Sequence, residues 1–159
     1  MVISKFIYRH SWKSNFINIK GITIDSITFM KLTKEQIEEI KNLDILIRMG
    51  GGILKGDILN VAKKGVISFH HGDNDFNRGG PPGFWEVYYK IPKTGFIIQK
   101  LDENLDDGDV LFKGYFQTKL FYYQNKQSIY KKSAKFIEIV LLNILENKDV
   151  KIKKKIISK

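Results

Sequence analysis

The chain has 159 residues, no cysteine, 43% hydrophobic and 13% aromatic residues, and a formal net charge of +10. That length and apolar content suit one globular domain with a core of its own. The lack of cysteine excludes disulfides, thiolate metal sites and cysteine nucleophiles. No apolar run approaches the ~18 residues that crossing a bilayer requires. The opening MVISKFIYRHSWK lacks the apolar core of a signal peptide, so a cytoplasmic protein without membrane contact is expected. Half of the charge surplus sits in residues 148–159, KDVKIKKKIISK, with six lysines against one aspartate. This reads as a solvated, fraying basic tail behind a single domain over residues 1–147. Specific nucleic-acid binding would need patterned Arg and aromatic residues or a known module. Neither is present, and nucleic acid is not an expected partner.

In chain order, FINIKGITIDSITFMKL predicts one or two strands with a turn at Gly21. Thr33 then opens TKEQIEEIKNL as a helix: it can N-cap, Gln36 completes a capping box, and Ile37, Ile40 and Leu43 recur at helical spacing. Asp44 to Arg48 predicts a buried strand leading into the glycine-rich MGGGIL. Lys55 to Lys64 predicts a short helix stopped by Gly65. Val66-Ile67-Ser68-Phe69 is a run of β-formers and predicts a second buried strand. Strand, helix and strand at this spacing imply parallel pairing with a right-handed crossover. After the histidines come HGDNDFN and RGGPPGFW, rich in residues that hold tight turns. Thr94 to Gln99 predicts another strand, and LDENLDDGDVL an acidic loop before a further apolar run. A long helix is expected from about Gln124 to Glu146, with Ile129, Phe136, Val140 and Ile144 on one side. The fold class is α/β, an open and mostly parallel sheet flanked by helices.

Open α/β sheets bind ligands in the crevice at the carboxyl ends of their strands. His70 lies at such an end, and histidine is the side chain best suited to acid–base work near neutral pH. The carboxylates of Asp102, Glu103, Asp106, Asp107 and Asp109 follow the next strand, and one set against an imidazole would orient it and raise its pKa. A metal site is not expected, because neighbouring strand residues such as His70 and His71 point to opposite faces. The MGGGIL loop lacks the lysine and spacing of a phosphate-binding loop.

Taken together, Ser68-Phe69-His70, Arg78-Gly79-Gly80, Thr94-Gly95 and Leu105-Asp106-Asp107-Gly108 resemble the ordered motifs of the folate-dependent formyltransferases. That family includes glycinamide ribonucleotide transformylase, methionyl-tRNA formyltransferase and the sugar N-formyltransferases. Gly52-Ile53-Leu54 matches the short loop before the motif strand, and the resemblance runs from about Asp44 to Leu111. It implies a Rossmann-like formyltransferase fold and transfer of a formyl group from 10-formyltetrahydrofolate to a small-molecule amine, such as an amino sugar. It further implies that His70 is the catalytic imidazole and Asp106 the carboxylate that orients it. Ser68 takes the position of the family's catalytic Asn. The folate would lie between the loop of Gly51, Gly52, Ile53 and Leu54 and the loop of Leu101, Asp102, Glu103, Asn104 and Leu105. Asn74, Arg78 and Gly79 fall on the acceptor side.

The sequence departs from the family pattern in two places. Ser68 supplies a hydroxyl where the family has an amide, which leaves Asn74 as a substitute donor toward the oxyanion that amine attack creates. His71-Gly72 replaces the family's Pro-Ser. The resemblance also implies a shortened first strand–helix–strand unit, with room for a homodimer or a second subunit to finish the sheet. The alternatives are a degenerate homologue that binds folate or a protein without catalysis, and a basic nucleic-acid-binding module.

Overall fold

A computed structural model describes residues 33–49, 53–76, 80–103 and 108–146 in full, and the backbone of 21–24 and 27–30. The chain divides into two compact units, Met1–Ser68 and Phe69–Lys159. In the first unit, β1 (Gly21–Ile24) and β2 (Ile27–Met30) pair antiparallel. Gly21 is not the expected turn: it pairs with Met30, and the pairing of Ile24 with Ile27 puts the reversal after Ile24. Residues 16–20 of the predicted strand region lie outside the described residues.

Helix α1 (Lys34–Ile40) starts on the predicted capping box: Gln36 N–H donates to Thr33 Oγ1, and Thr33 N–H donates to Gln36 Oε1 at 3.0 Å. Strand β3 (Leu46–Arg48) follows, then β4 (Ile53–Leu54), which pairs parallel with β2 and gives the sheet order β1-β2-β4. The helix expected over residues 55–64 shrinks to α2 (Ile58–Val61). Its reach is limited at both ends. Gly56 has φ +77° on one side, and Ala62 on the other is extended at φ −76°, ψ 146°. Strand β5 (Val66–His70) pairs parallel with β3, Leu46 opposite Val66 and Arg48 opposite Ser68. Ile40, Leu46, Leu54, Ile58, Leu59, Ala62, Val66 and Ile67 form the buried apolar interior of this unit. Strand β5 runs across the boundary, so its last two residues, Phe69 and His70, belong to the second unit.

The first helix of the second unit is one that sequence patterning does not reveal. Residues read as turn formers lead into α3 (Phe84–Tyr88), entered through Gly83 at φ +69°. Aromatic and β-branched residues favour helix only weakly, so tertiary contacts hold FWEVY in place. Phe84 packs edge-on against Tyr122 at 5.4 Å, and Trp85 Nε1–H donates to Gly80 O at 3.1 Å. Next come β6 (Lys93–Lys100) and β7 (Asp109–Gln117), an antiparallel hairpin running from Lys93 opposite Gln117 to Lys100 opposite Asp109. Leu111 is the extra residue of a bulge on β7, since Ile98 faces Phe112 and Gln99 faces Val110.

Helix α4 (Tyr122–Leu145) lays Ile129, Ser133, Ile137 and Val140 toward the interior. Phe136 is half-buried and stacks on Phe112 at 4.5 Å, beside Phe96 and Phe116. Asn125 is 0% exposed and ties three elements together. Its Nδ2 donates to Gly83 O and Thr94 Oγ1, both at 2.9 Å, and its Oδ1 accepts from Lys119 N–H at 3.0 Å. Residues 148–159, the predicted basic tail, lie outside the described residues.

Candidate functional site

His70 is the last residue of β5 and is half-buried. Ser68, two positions earlier on the same strand, is 1% exposed. In the first unit Arg48 Nη1 donates to Ser68 Oγ at 3.2 Å, following from the register that sets Arg48 opposite Ser68. The serine hydroxyl therefore carries a guanidinium at the carboxyl ends of two parallel strands.

His71 has a different job. Its ring stacks on Phe69 at 5.7 Å, meets Tyr130 edge-on at 4.4 Å, and shares a 3.1 Å hydrogen bond with Ser133 Oγ of α4. Burial, assisted by the charge of His70, pulls its pKa down to about 4. A neutral imidazole wedged under a helix fixes the strand end without titrating in the physiological range.

The segment after His71 is anchored by charge. Lys113 Nζ lies 2.6 Å from Asp73 Oδ1 and 2.6 Å from Asp75 Oδ2, and Tyr115 Oη–H donates to Asp73 Oδ2 at 2.8 Å. Asp73 also caps its own turn, accepting from Asp75 N–H at 3.0 Å. Burial works against both ionised partners, but the hydrogen bonds win: Asp73 is held below the usual carboxylate range and Lys113 above the usual ammonium range. Glu86 is 3% exposed, and burial together with the charge of Asp73 pushes its carboxyl upward. Gly95 makes this anchoring possible. A Cβ there would stand 2.9 Å from Asp73 Cβ and 3.2 Å from Tyr115 Cε1, closer than side chains pack. Its neighbour Thr94 Oγ1 bonds to Thr118 Oγ1 at 2.9 Å. The Thr94-Gly95 pair thus has a physical meaning: the hydroxyl ties the hairpin to Asn125, and the missing side chain admits the turn that follows His70.

The acidic loop leaves β6 after Lys100 and returns at Gly108. A Cβ on Gly108 would lie 2.2 Å from Lys100 O, so only glycine can stand this close to the Lys100 carbonyl. Leu101 is half-buried at its start, while Asp102 and Glu103 are exposed. At its root Gln99 is buried. Of the other predicted site residues, Ile53 is half-buried, Leu54 belongs to the first unit's interior, and Asn74 is half-buried on the turn that Asp73 caps. Gly51, Gly52, Arg78, Gly79, Asn104, Leu105 and Asp106 lie outside the described residues. Sequence reading gave no role to Asp73, Lys113, Tyr115 or Gln99, and took His71 only as the neighbour of His70. The HGDND turn chemistry points to Asp73, but nothing in the sequence links it to Lys113, forty residues away.

No family model matches the sequence. A methionyl-tRNA formyltransferase from Pelagibacter ubique is 33% identical over 127 residues, covering 75% of this chain and 40% of that protein. Three-quarters of a 159-residue chain, taken as one stretch, necessarily includes Asp44 to Leu111. Among solved structures, a 4-N formyltransferase from Francisella tularensis superposes with TM-score 0.63 at 24% identity, covering 77% of this chain and 51% of that one. The formyltransferase PseJ from Anoxybacillus kamchatkensis, in complex with UDP-4,6-dideoxy-4-formamido-L-AltNAc and tetrahydrofolate, superposes with TM-score 0.53 at 24% identity, covering 70% and 62%. The architecture is accordingly the Rossmann-like fold of formyltransferases. The chain belongs to the folate-dependent formyltransferase family. It spans less than half the length of the curated relatives it matches, 27% and 40% for two of them. Among the described residues no helix is long and apolar enough to cross a membrane.

Proposed function

We propose that the chain transfers a formyl group from 10-formyltetrahydrofolate to a small-molecule amine, with an amino sugar as the acceptor class. The observation that carries this reading is His70, half-buried at the carboxyl end of β5, in a chain one-third identical to a methionyl-tRNA formyltransferase over a stretch that must contain it. An amino-sugar acceptor draws support from PseJ, whose structure is a complex with UDP-4,6-dideoxy-4-formamido-L-AltNAc and tetrahydrofolate. When bound, the folate supplies a formyl group activated for attack by nitrogen. His70 takes the proton that the attacking amine must lose as its bond to the formyl carbon forms, and a proton goes to the folate nitrogen as the old bond breaks and tetrahydrofolate leaves; Asp106 orients the imidazole. Ser68, with Arg48 donating to its hydroxyl, brings a cationic hydrogen-bonding group to the strand ends.

Two features support a folate here: Gly108 comes up against the Lys100 carbonyl where only glycine fits, and Gln99, one residue before Lys100, carries a buried side-chain acceptor. The test is calorimetric titration of the protein with 5-formyltetrahydrofolate, for wild type and for Asp106→Ala. Binding with a Kd on the order of micromolar, weakened about tenfold by the substitution, is the expected result and would direct acceptor screening to amino sugars. No heat at millimolar ligand would refute the enzyme reading.

A further inference from the structure

We propose that Gln99 is a ligand-binding residue, its side-chain oxygen accepting a hydrogen bond from an N–H of the pterin ring. This rests on the folate reading and adds a contact that the motif residues do not include. Gln99 is 3% exposed, and its Oε1 is buried with no hydrogen-bond partner. Buried polar atoms almost always have partners, so each exception needs a reason. Leu or Met would fill this volume without stranding an acceptor, and the flanking Ile97 and Ile98 show that β6 otherwise takes apolar side chains in this stretch.

The location of the orphan oxygen says what it awaits. Gln99 is the penultimate residue of β6, directly before the loop 101–107. Side chains alternate along a strand, and Phe96 packs against Phe136 of α4, so Ile98 shares that side while Ile97 and Gln99 face away from the helix. Gly95 lies on the same side as Gln99, with the Asp73 anchor over it. The bulge at Leu111 falls directly across from the Ile98–Gln99 step, and bulges recur beside active sites, where they re-aim a side chain. An amide oxygen accepts and never donates. Its ligand must therefore bring an N–H or O–H, and a reduced pterin carries an exocyclic amine and several ring N–H groups.

The decisive comparison is wild type against Gln99→Met, which keeps chain length and volume but removes the acceptor. Two quantities are read: the affinity for 5-formyltetrahydrofolate by calorimetry, and the melting temperature without ligand. We expect affinity to fall about tenfold while the ligand-free melting temperature holds or rises, since an unsatisfied group has been removed. Unchanged affinity would overturn the role of Gln99 and leave a buried water as the oxygen's partner. A clear fall in the ligand-free melting temperature would overturn it too, by showing that the amide already makes a bond in the free protein. If wild type itself fails to bind, the folate reading fails first, and that outcome is separable from the other two.

Discussion

The two faces of the β6–β7 hairpin are built from the same strands and do opposite work. Toward α4 they present Phe96, Phe112 and Phe116, closed over by Ile129 and Phe136. Away from α4 they present Lys113, Tyr115 and Gln99, with Asp73 seated over Gly95. The first face is saturated with apolar contact, which is non-directional and adds up with buried area. The second depends on a few directional bonds, each tying a loop or holding an acceptor in readiness. Neighbouring residues in sequence thus fall on opposite faces and serve different ends, because strand side chains alternate.

The largest break in this comparison comes from the apolar face. Phe96→Ala should destabilise the protein by about 3–5 kcal/mol, measured by denaturant unfolding, with the loss falling on the second unit's packing. Next is the proton linkage of His71, wedged against α4. Its folded pKa of about 4 lies below the unfolded value of 6.5. The unfolded chain therefore binds the proton first as pH drops. The stabilisation is fully present above pH 6.5 and is lost between 6.5 and 4. It is worth at most about 3 kcal/mol. Unfolding curves across that window should slope less for His71→Phe than for wild type, and equal slopes would contradict the wedge.

The smallest effect belongs to the polar face. Gly95→Ala must push Asp73 aside and should cost about 1–3 kcal/mol. The displaced carboxylate would weaken its pairing with Lys113. Chemical-shift titration should then find the Asp73 pKa back toward an ordinary carboxylate value. An Asp73 pKa that stays low in this variant would mean the anchor tolerates the extra methyl.

Much of this arrangement could be read from the sequence, and the reason is local. The Thr33–Gln36 capping box, the β-formers of β5 and β6 and the long α4 each announce themselves within a few residues, through side chains that meet near neighbours in the chain. Helix α3 does not, because FWEVY has weak intrinsic preference and is shaped by Tyr122 and Gly80. Asn125 is hidden for a similar reason. An amide in a helical repeat reads as a surface position, and only the arrival of Gly83, Thr94 and Lys119 makes it an interior one. The site divides the same way. His70 and the Thr94-Gly95 pair stand in short motifs that point to them, whereas the Asp73–Lys113 pairing is a product of folding alone.

Gly114 lies beside Phe96 on the apolar face. A Cβ at 114 would come within 2.5 Å of Phe96 Cζ and 2.9 Å of Phe112 Cε1. One aromatic ring therefore occupies the space of two side chains, and the two positions share a single volume. Across diverging descendants of this chain, that shared volume predicts paired change. A lineage gaining a side chain at 114 is expected to shrink or shift the rings at 96 and 112 in compensation, so these positions should covary as a size exchange.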